Sequence, residues 1–182
     1  MSEHWVFGYG SLIWHPEFPV AEQVNARLDG YARRFCMHSV EYRGTPERPG
    51  LVLALDRAEA ASCAGVAFRI DPADWPQAIA GLRARELVTN AYAEAELLIT
   101  LADRRQVTAI TYVIRHDHHQ YTGDLSLSEQ ARIIAAAHGQ RGPNRDYLFN
   151  TALHLAELGL PDPALEELSQ MVRDLIAPPA AG

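Results

Sequence analysis

Only two cysteines occur in 182 residues, Cys36 and Cys63, both among apolar neighbours. They form neither a disulfide framework nor a metal-ligand spacing, and in a reducing compartment they pack as small hydrophobic groups. No apolar run is long enough to span a bilayer. Met1-Ser2-Glu3-His4 lacks the basic start and apolar stretch of a signal peptide. Together these absences predict a cytoplasmic protein with no membrane partner. Blocks of Lys or Arg are also missing and the formal net charge is -7, so the clustered cations that phosphate binding requires are absent and a nucleic-acid surface is excluded. An anionic small molecule would meet an opposing overall field, and its recognition must be local, through backbone N–H groups or a placed arginine.

What is present is the composition of a globular chain, 48% hydrophobic and 21% charged. Its length suits one domain over residues 1–182, which at this size buries about 70% of the surface its unfolded chain exposes. Segments rich in β-branched, aromatic and aliphatic residues predict strands at Trp5–Tyr9, Tyr31–Met37, Leu51–Leu55, Cys63–Ile70, Ala91–Leu101 and Val107–Arg115, the last two forming a hairpin. Gly44–Gly50 reads as a loop punctuated by Pro and Gly. Helices fill the C-terminal third: one opened by a Ser126/Glu129 capping box and stopped near Gly139, a second capped by Asn144 and closed by Gly159, a third opened by Asp162-Pro163. An Ala/Pro tail, Ala177–Gly182, is expected to fray. Strands first and helices later give an α+β class. Nothing in the sequence speaks to oligomeric state.

Two features carry chemistry. In Val6-Phe7-Gly8-Tyr9-Gly10-Ser11-Leu12-Ile13-Trp14 an apolar strand breaks into glycines and then resumes. Gly8 and Gly10 can take φ values closed to other residues, so Tyr9 to Leu12 can form a nest of N–H groups for a carboxylate or an oxyanion; a tight turn after an edge strand is the plain alternative. The second feature is a helix expected over Asp74–Val88, with apolar stripe Trp75, Ile79 and Leu82. The next member is Glu86, about 20° from Trp75 at ~100° per residue. A carboxylate on a core-facing stripe either snorkels to water and pairs with Arg83 or Arg85, or lines a partly dry cavity where burial raises its pKa toward values useful for proton transfer.

Trp5–Trp14, Arg43–Gly50, Arg85-Glu86 and Asn144–Phe149 occur in the order found in the ChaC family of γ-glutamylcyclotransferases, which the chain resembles from Trp5 to at least Phe149. That resemblance implies a mixed six-stranded β-barrel flanked by helices. It also implies cleavage of glutathione to 5-oxoproline and Cys-Gly without metal or organic cofactor. The family's catalytic glutamate falls on Glu86, its substrate-cradling loop on Gly8, Tyr9, Gly10, Ser11, Leu12 and Ile13, and a late substrate contact on Tyr147. Ala93, where a larger and often basic residue is expected, and Arg141-Gly142-Pro143 before Asn144 depart from the family pattern and bear on substrate preference.

The residues suit the reaction. In a γ-glutamyl amide the attacking α-amine and the γ-carbonyl belong to one residue, so no catalytic Ser or Cys is required and proximity is already intramolecular. A sister activity on other γ-glutamyl amines, or a catalytically silent γ-glutamyl-binding module, are the alternative readings. His116-Asp117-His118-His119 lacks the helical spacing of a zinc protease and reads as a solvated loop. Ser11, Ser39, His38 and His154 come without a Gly-x-Ser-x-Gly elbow.

Overall fold

The computed structural model describes residues 3–178, so most of the Ala/Pro tail lies outside the described residues. The chain divides into two compact units: the chain up to Arg34 with Ala54–Tyr121, and Phe35–Leu53 with the chain from Thr122 onward.

A closed mixed barrel is built from β1 (His4–Gly8), β2 (Glu22–Ser39), β3 (Gly50–Ile70), β4 (Tyr92–Leu101) and β5 (Gln106–Ile114), in the order β1-β3-β2-β4-β5; it belongs to the first unit except for residues 35–39 of β2 and 50–53 of β3. Strand β1 pairs antiparallel with β3, His4 opposite Ile70 and Gly8 opposite Val66, and parallel with β5 through Trp5 and Val6. The hairpin β4–β5 runs in unbroken register from Tyr92↔Ile114 to Thr100↔Gln106, and its tight turn places Arg104 at φ 75°.

The barrel class agrees with the resemblance, with five strands in place of six among the described residues. Leu51–Leu55 and Cys63–Ile70, which read as separate strands, are the two ends of one 21-residue strand. The polar residues between them include no Gly or Pro, and Asp56 is buried with an ion pair to Arg34 at 3.2 Å. Strand β2 also starts earlier than its apolar part suggests, because Val24, Ala26 and Leu28 alternate with polar residues as a half-buried strand requires.

Alternation along β1 divides the core. Trp5, Phe7 and Tyr9 join Leu28, Leu55, Ile99 and Ala109 in a cluster drawn from all five strands, which is the barrel interior. Val6 instead joins Ile70, Ile110 and Tyr112 against Ala78, Ile79 and Leu82 of α1 (Trp75–Glu86). A strand covered on both faces needs a continuous apolar run, and Trp5-Val6-Phe7 supplies it.

In the second unit, α2 (Leu127–Ala136), α3 (Asn144–Glu157) and α4 (Pro163–Ile176) pack on one another. The capping box forms as expected: Ser126 Oγ accepts from Glu129 N at 3.2 Å, and Glu129 Oε2 accepts from Ser126 N at 2.8 Å. Helix α2 stops earlier than Gly139, which instead pairs in the short ribbon β6 (His138–Gly139) with β7 (Gly142–Pro143). Asp162 caps α4 through Leu165 N at 3.2 Å, and Gly159 follows α3 at φ 69°. Asn144 does not cap α3; Pro143 holds that position. The fully buried Asn144 amide instead bonds both backbone groups of Leu51, its Oδ1 accepting from the N–H and its Nδ2 donating to the C=O, each at 2.7 Å. A side-chain amide thus replaces a neighbouring strand. The Gly44–Gly50 loop closes just as tightly, since a Cβ on Gly44 would lie 2.1 Å from Gly50 N and 2.5 Å from Ser39 O.

Asn144→Ala leaves a buried N–H and a buried C=O without partners, and is expected to lower stability by about 2–6 kcal/mol, at ~1–3 kcal/mol per orphaned group. Asn144→Asp, which keeps the acceptor and sets a carboxylate against the Leu51 carbonyl, should fare no better. Urea unfolding midpoints check both; a wild-type midpoint in either variant contradicts this role.

Candidate active site

Strand β1 ends at Gly8, and the chain turns at once into a single-turn 3-10 helix, Ser11–Ile13. Neither Gly8 nor Gly10 has the positive φ expected of it; Gly10 sits at φ −136°, ψ −130°. Crowding favours glycine at position 8, because a Cβ there would press Leu12 Cβ and the Phe68 ring at 3.2 Å and they would have to give by a few tenths of an ångström. Gly65 on β3 is tighter still, with Gly8 O only 2.4 Å from an added Cβ.

Arg33 fixes the turn from one side: Nε donates to Tyr9 O at 2.6 Å and Nη2 donates to Ala64 O. A trans peptide sets C=O and N–H in opposite directions, so with the Tyr9 carbonyl on Arg33 the Gly10 N–H points the other way. The Tyr9 hydroxyl donates to Tyr112 O at 3.0 Å and Thr111 Oγ1 to Phe7 O at 3.0 Å, tying both ends of the break to β5. Ile13 N and His15 N donate back to Gly10 O and Ser11 O. The N–H groups of Ser11 and Leu12 open the turn, where a helix leaves its first donors without an intrahelical acceptor, and no side chain caps them.

Glu86 is the last residue of α1 and continues the buried stripe of Ile79 and Leu82; its side chain is 17% exposed. Burial raises its pKa above the ordinary carboxylate value, Arg85 beside it pulls the value down, and Glu17 pushes it up. The negative end of the helix dipole adds to the rise. Arg85 Nε lies 3.2 Å from Glu86 Oε1. The same guanidinium donates through Nη2 to Ser11 Oγ at 2.6 Å and through Nη1 to His15 O at 3.0 Å and Glu17 Oε2 at 3.2 Å. One side chain therefore joins the carboxylate to the glycine turn. It also settles the chemistry of Ser11, whose oxygen faces a guanidinium that cannot accept a proton, so Ser11 has no base in Arg85.

Behind Glu86, the buried Tyr112 donates to Glu94 Oε2 at 3.1 Å, and Glu94 is held by both ends of Arg83 at 2.7 and 2.8 Å. Burial, followed by Glu94 and Glu86, pushes the Tyr112 phenol well above its usual range, keeping it protonated. A cavity of about 170 Å³ lies between Pro16–Pro19 and α1; Arg85 and Glu17 line it, whereas Glu86 and the Gly8–Ile13 turn do not.

Tyr147 belongs to the second unit, on α3. Its ring meets Phe35 edge-on at 5.8 Å and lies under the Arg43 guanidinium at 5.5 Å. Arg43 in turn donates to Arg141 O at 2.8 Å and Pro143 O at 3.3 Å. Of the departures from the family pattern, Ala93 is exposed on β4, and Arg141 stacks on Tyr42 at 4.3 Å. The His116–His119 run is more anchored than a solvated loop: His116 meets Asp56 Oδ1 at 2.6 Å and stacks on Tyr121, and His118 bonds Thr89 O at 2.9 Å.

Sequence reasoning passed over Arg33 and Tyr112; it named Arg85 as a partner for Glu86, which it is, but not its reach to Ser11, His15 and Glu17. Arg33 had a legible signal, since it lies between the buried Tyr31 and Phe35 at period 2 and so shares their face. Arg85 sits one step off the α1 stripe and reads as a solvated charge.

Residues 4–175 match the family described as ChaC-like protein. A glutathione-specific γ-glutamylcyclotransferase of Escherichia coli is 36% identical over 173 residues, which cover 95% of this chain and 74% of that protein. γ-Glutamylcyclotransferase 2-3 of Arabidopsis thaliana is 36% identical over 182 residues, covering 95% of this chain and 90% of its own. The crystal structure of a γ-glutamyl cyclotransferase specific to glutathione from yeast superposes with a TM-score of 0.85 at 25% identity, covering 96% of this chain and 97% of that one.

Because burial raises the Glu86 pKa, the folded chain binds that proton more tightly than the unfolded chain. The group's favourable contribution is present below the ordinary carboxylate range and is lost as pH rises through the raised folded value. Glu86→Gln, uncharged at constant shape, is therefore expected to melt at the wild-type temperature or above it at neutral pH, the gap closing below about pH 4. A clear drop in Tm at neutral pH would mean that the ionised carboxylate stabilises the fold.

Proposed function

Because the chain belongs to the ChaC-like protein family, we propose that it is a γ-glutamylcyclotransferase that cleaves glutathione to 5-oxoproline and Cys-Gly. The observation that carries this reading is the half-buried Glu86 carboxylate, joined through Arg85 to the glycine turn that follows β1. The substrate's α-amine attacks its own γ-carbonyl, a five-membered ring closes, and the bond to the cysteinyl nitrogen breaks. Glu86 takes the proton from the α-amine and delivers one to the leaving nitrogen, so the carboxylate is regenerated within the turnover. Nucleophile, electrophile and leaving group all come with the substrate, so the reaction asks nothing of a metal or an organic cofactor.

The turn Gly8, Tyr9, Gly10, Ser11, Leu12 and Ile13 cradles the γ-glutamyl group, its opening N–H groups meeting the α-carboxylate or the developing oxyanion. Losing one donor of the latter kind typically costs about 3 kcal/mol. The late motif adds Tyr147 as a substrate contact. The family match runs through both units, which supports reading residues 1–182 as one domain. Among the described residues no helix is long and apolar enough to cross a membrane, and both cysteines are buried and outside any disulfide; we place the reaction in the cytoplasm.

Purified protein incubated with reduced glutathione is expected to release 5-oxoproline and Cys-Gly in equal amounts. Glu86→Gln should lose about 10²–10⁴-fold in kcat while binding substrate nearly unchanged. Mass spectrometry of both products checks this. Mutant turnover within about tenfold of wild type rules out Glu86 as the acid/base, and no product from wild type rules out glutathione as substrate.

A further inference from the structure

Arg85 does more than neutralise its neighbour. Its guanidinium meets four groups: Glu86 Oε1, Ser11 Oγ, the His15 carbonyl and Glu17 Oε2. Only Ser11 and Glu86 belong to the machinery proposed above. Glu17 stands on the rim of the cavity beside α1, its side chain 56% exposed, at φ 60°, a left-handed conformation that costs a non-glycine residue. It reaches Arg85 at Nη1, whereas Glu86 lies at Nε, so two carboxylates share one guanidinium.

We propose that Arg85 is a positioning residue that orients the Glu86 carboxylate and the Ser11 turn together, and that Glu17, by sharing the same guanidinium, sets how firmly Glu86 is held in its ionised form. This rests on Glu86 being the acid/base. A planar guanidinium with five donors in fixed directions hydrogen-bonds Ser11, His15 and Glu17 while lying against the Glu86 carboxylate, which an ammonium on a flexible stem cannot do. The charges acting on Glu86 agree in sign with the geometry, Arg85 favouring its ionised form and Glu17 opposing it. The remaining titratable groups are accounted for. His15 is paired with Glu17 at 3.5 Å. Tyr112 faces Glu86 from β5 as a neutral phenol bound to Glu94, and Glu94 is paired with Arg83. The exposed Glu17–Arg85 pair is thus the adjustable element.

The test is the pH profile of kcat/KM for glutathione, whose acid limb reports the free enzyme's base. Arg85→Gln should move that limb to higher pH by about one unit or more, as expected for removal of an opposite charge at this distance. Glu17→Gln should move it to lower pH. Arg85→Lys keeps the charge and should leave the limb near the wild-type position, while KM rises severalfold because the Ser11 turn loses its fork. Acid limbs that coincide in all variants, or that move the same way in Arg85→Gln and Glu17→Gln, overturn the proposal. Glu86→Gln is run alongside: if it is inactive and the limbs do not move, this inference alone fails, and if it is active, the acid/base reading fails with it. Should Arg85→Gln not fold, the exposed Glu17→Gln decides by itself.

Discussion

A strand with one antiparallel and one parallel neighbour closes the barrel, and that pairing decides where chemistry can be assembled. Because β1 runs parallel to β5, both leave the barrel at the same end, and the antiparallel β4 begins there at Tyr92. Helix α1 runs down to that end before the chain enters β4. The glycine turn after β1, Tyr112 and Glu94 on the hairpin, and Glu86 on the last turn of α1 are therefore neighbours by topology. Packing then fixes their detail: Phe7 and Tyr9 hold the barrel side of the break, and Val6, Ile79 and Leu82 hold the helix side.

Arginine supplies all of the chain's side-chain cations, for the sequence has sixteen Arg and no Lys. Each guanidinium can serve more than one acceptor, and the structure uses this repeatedly. Arg33 holds two carbonyls around the glycine turn, Arg83 grips both oxygens of Glu94, and Arg105 reaches Glu22 and Asp103. Guanidinium groups stay charged across the pH range in which proteins fold. Acid-base behaviour near neutrality therefore falls to carboxylates, imidazoles and thiols, and Glu86 is the carboxylate that burial moves toward that range.

The parts of the site readable in the sequence are those written in local periodicity. Helical spacing alone placed Glu86 on the buried stripe, and the glycine spacing marked the break after β1, although crowding against Leu12 and Phe68, and not a left-handed φ, is what favours Gly8. The parts that stayed hidden depend on partners far along the chain. Asp56 looked like the end of a strand because its partners Arg34 and His116 cannot be seen from its neighbours. Asn144 suits an N-cap and a strand surrogate equally well, and only Leu51, distant in sequence, tells them apart. Arg85 lies off the apolar stripe, so its contacts come entirely from the turn that the fold brings to it.

The pairing of β1 also governs the order in which the chain can fold. Trp5 finds its hydrogen-bonded neighbours at Arg69 and Ala109, so during synthesis the apolar Trp5-Val6-Phe7 run has no sheet edge to join until β3 has emerged, and the barrel cannot close until β5 follows. Long-range parallel pairing of this kind bears the loop-closure cost before any contact repays it and is slow to form. The segment that bears the glycine turn is thus made well before it is secured, and a nascent chain stalled before β5 would leave one edge of β1 open to chaperones and to other copies of itself.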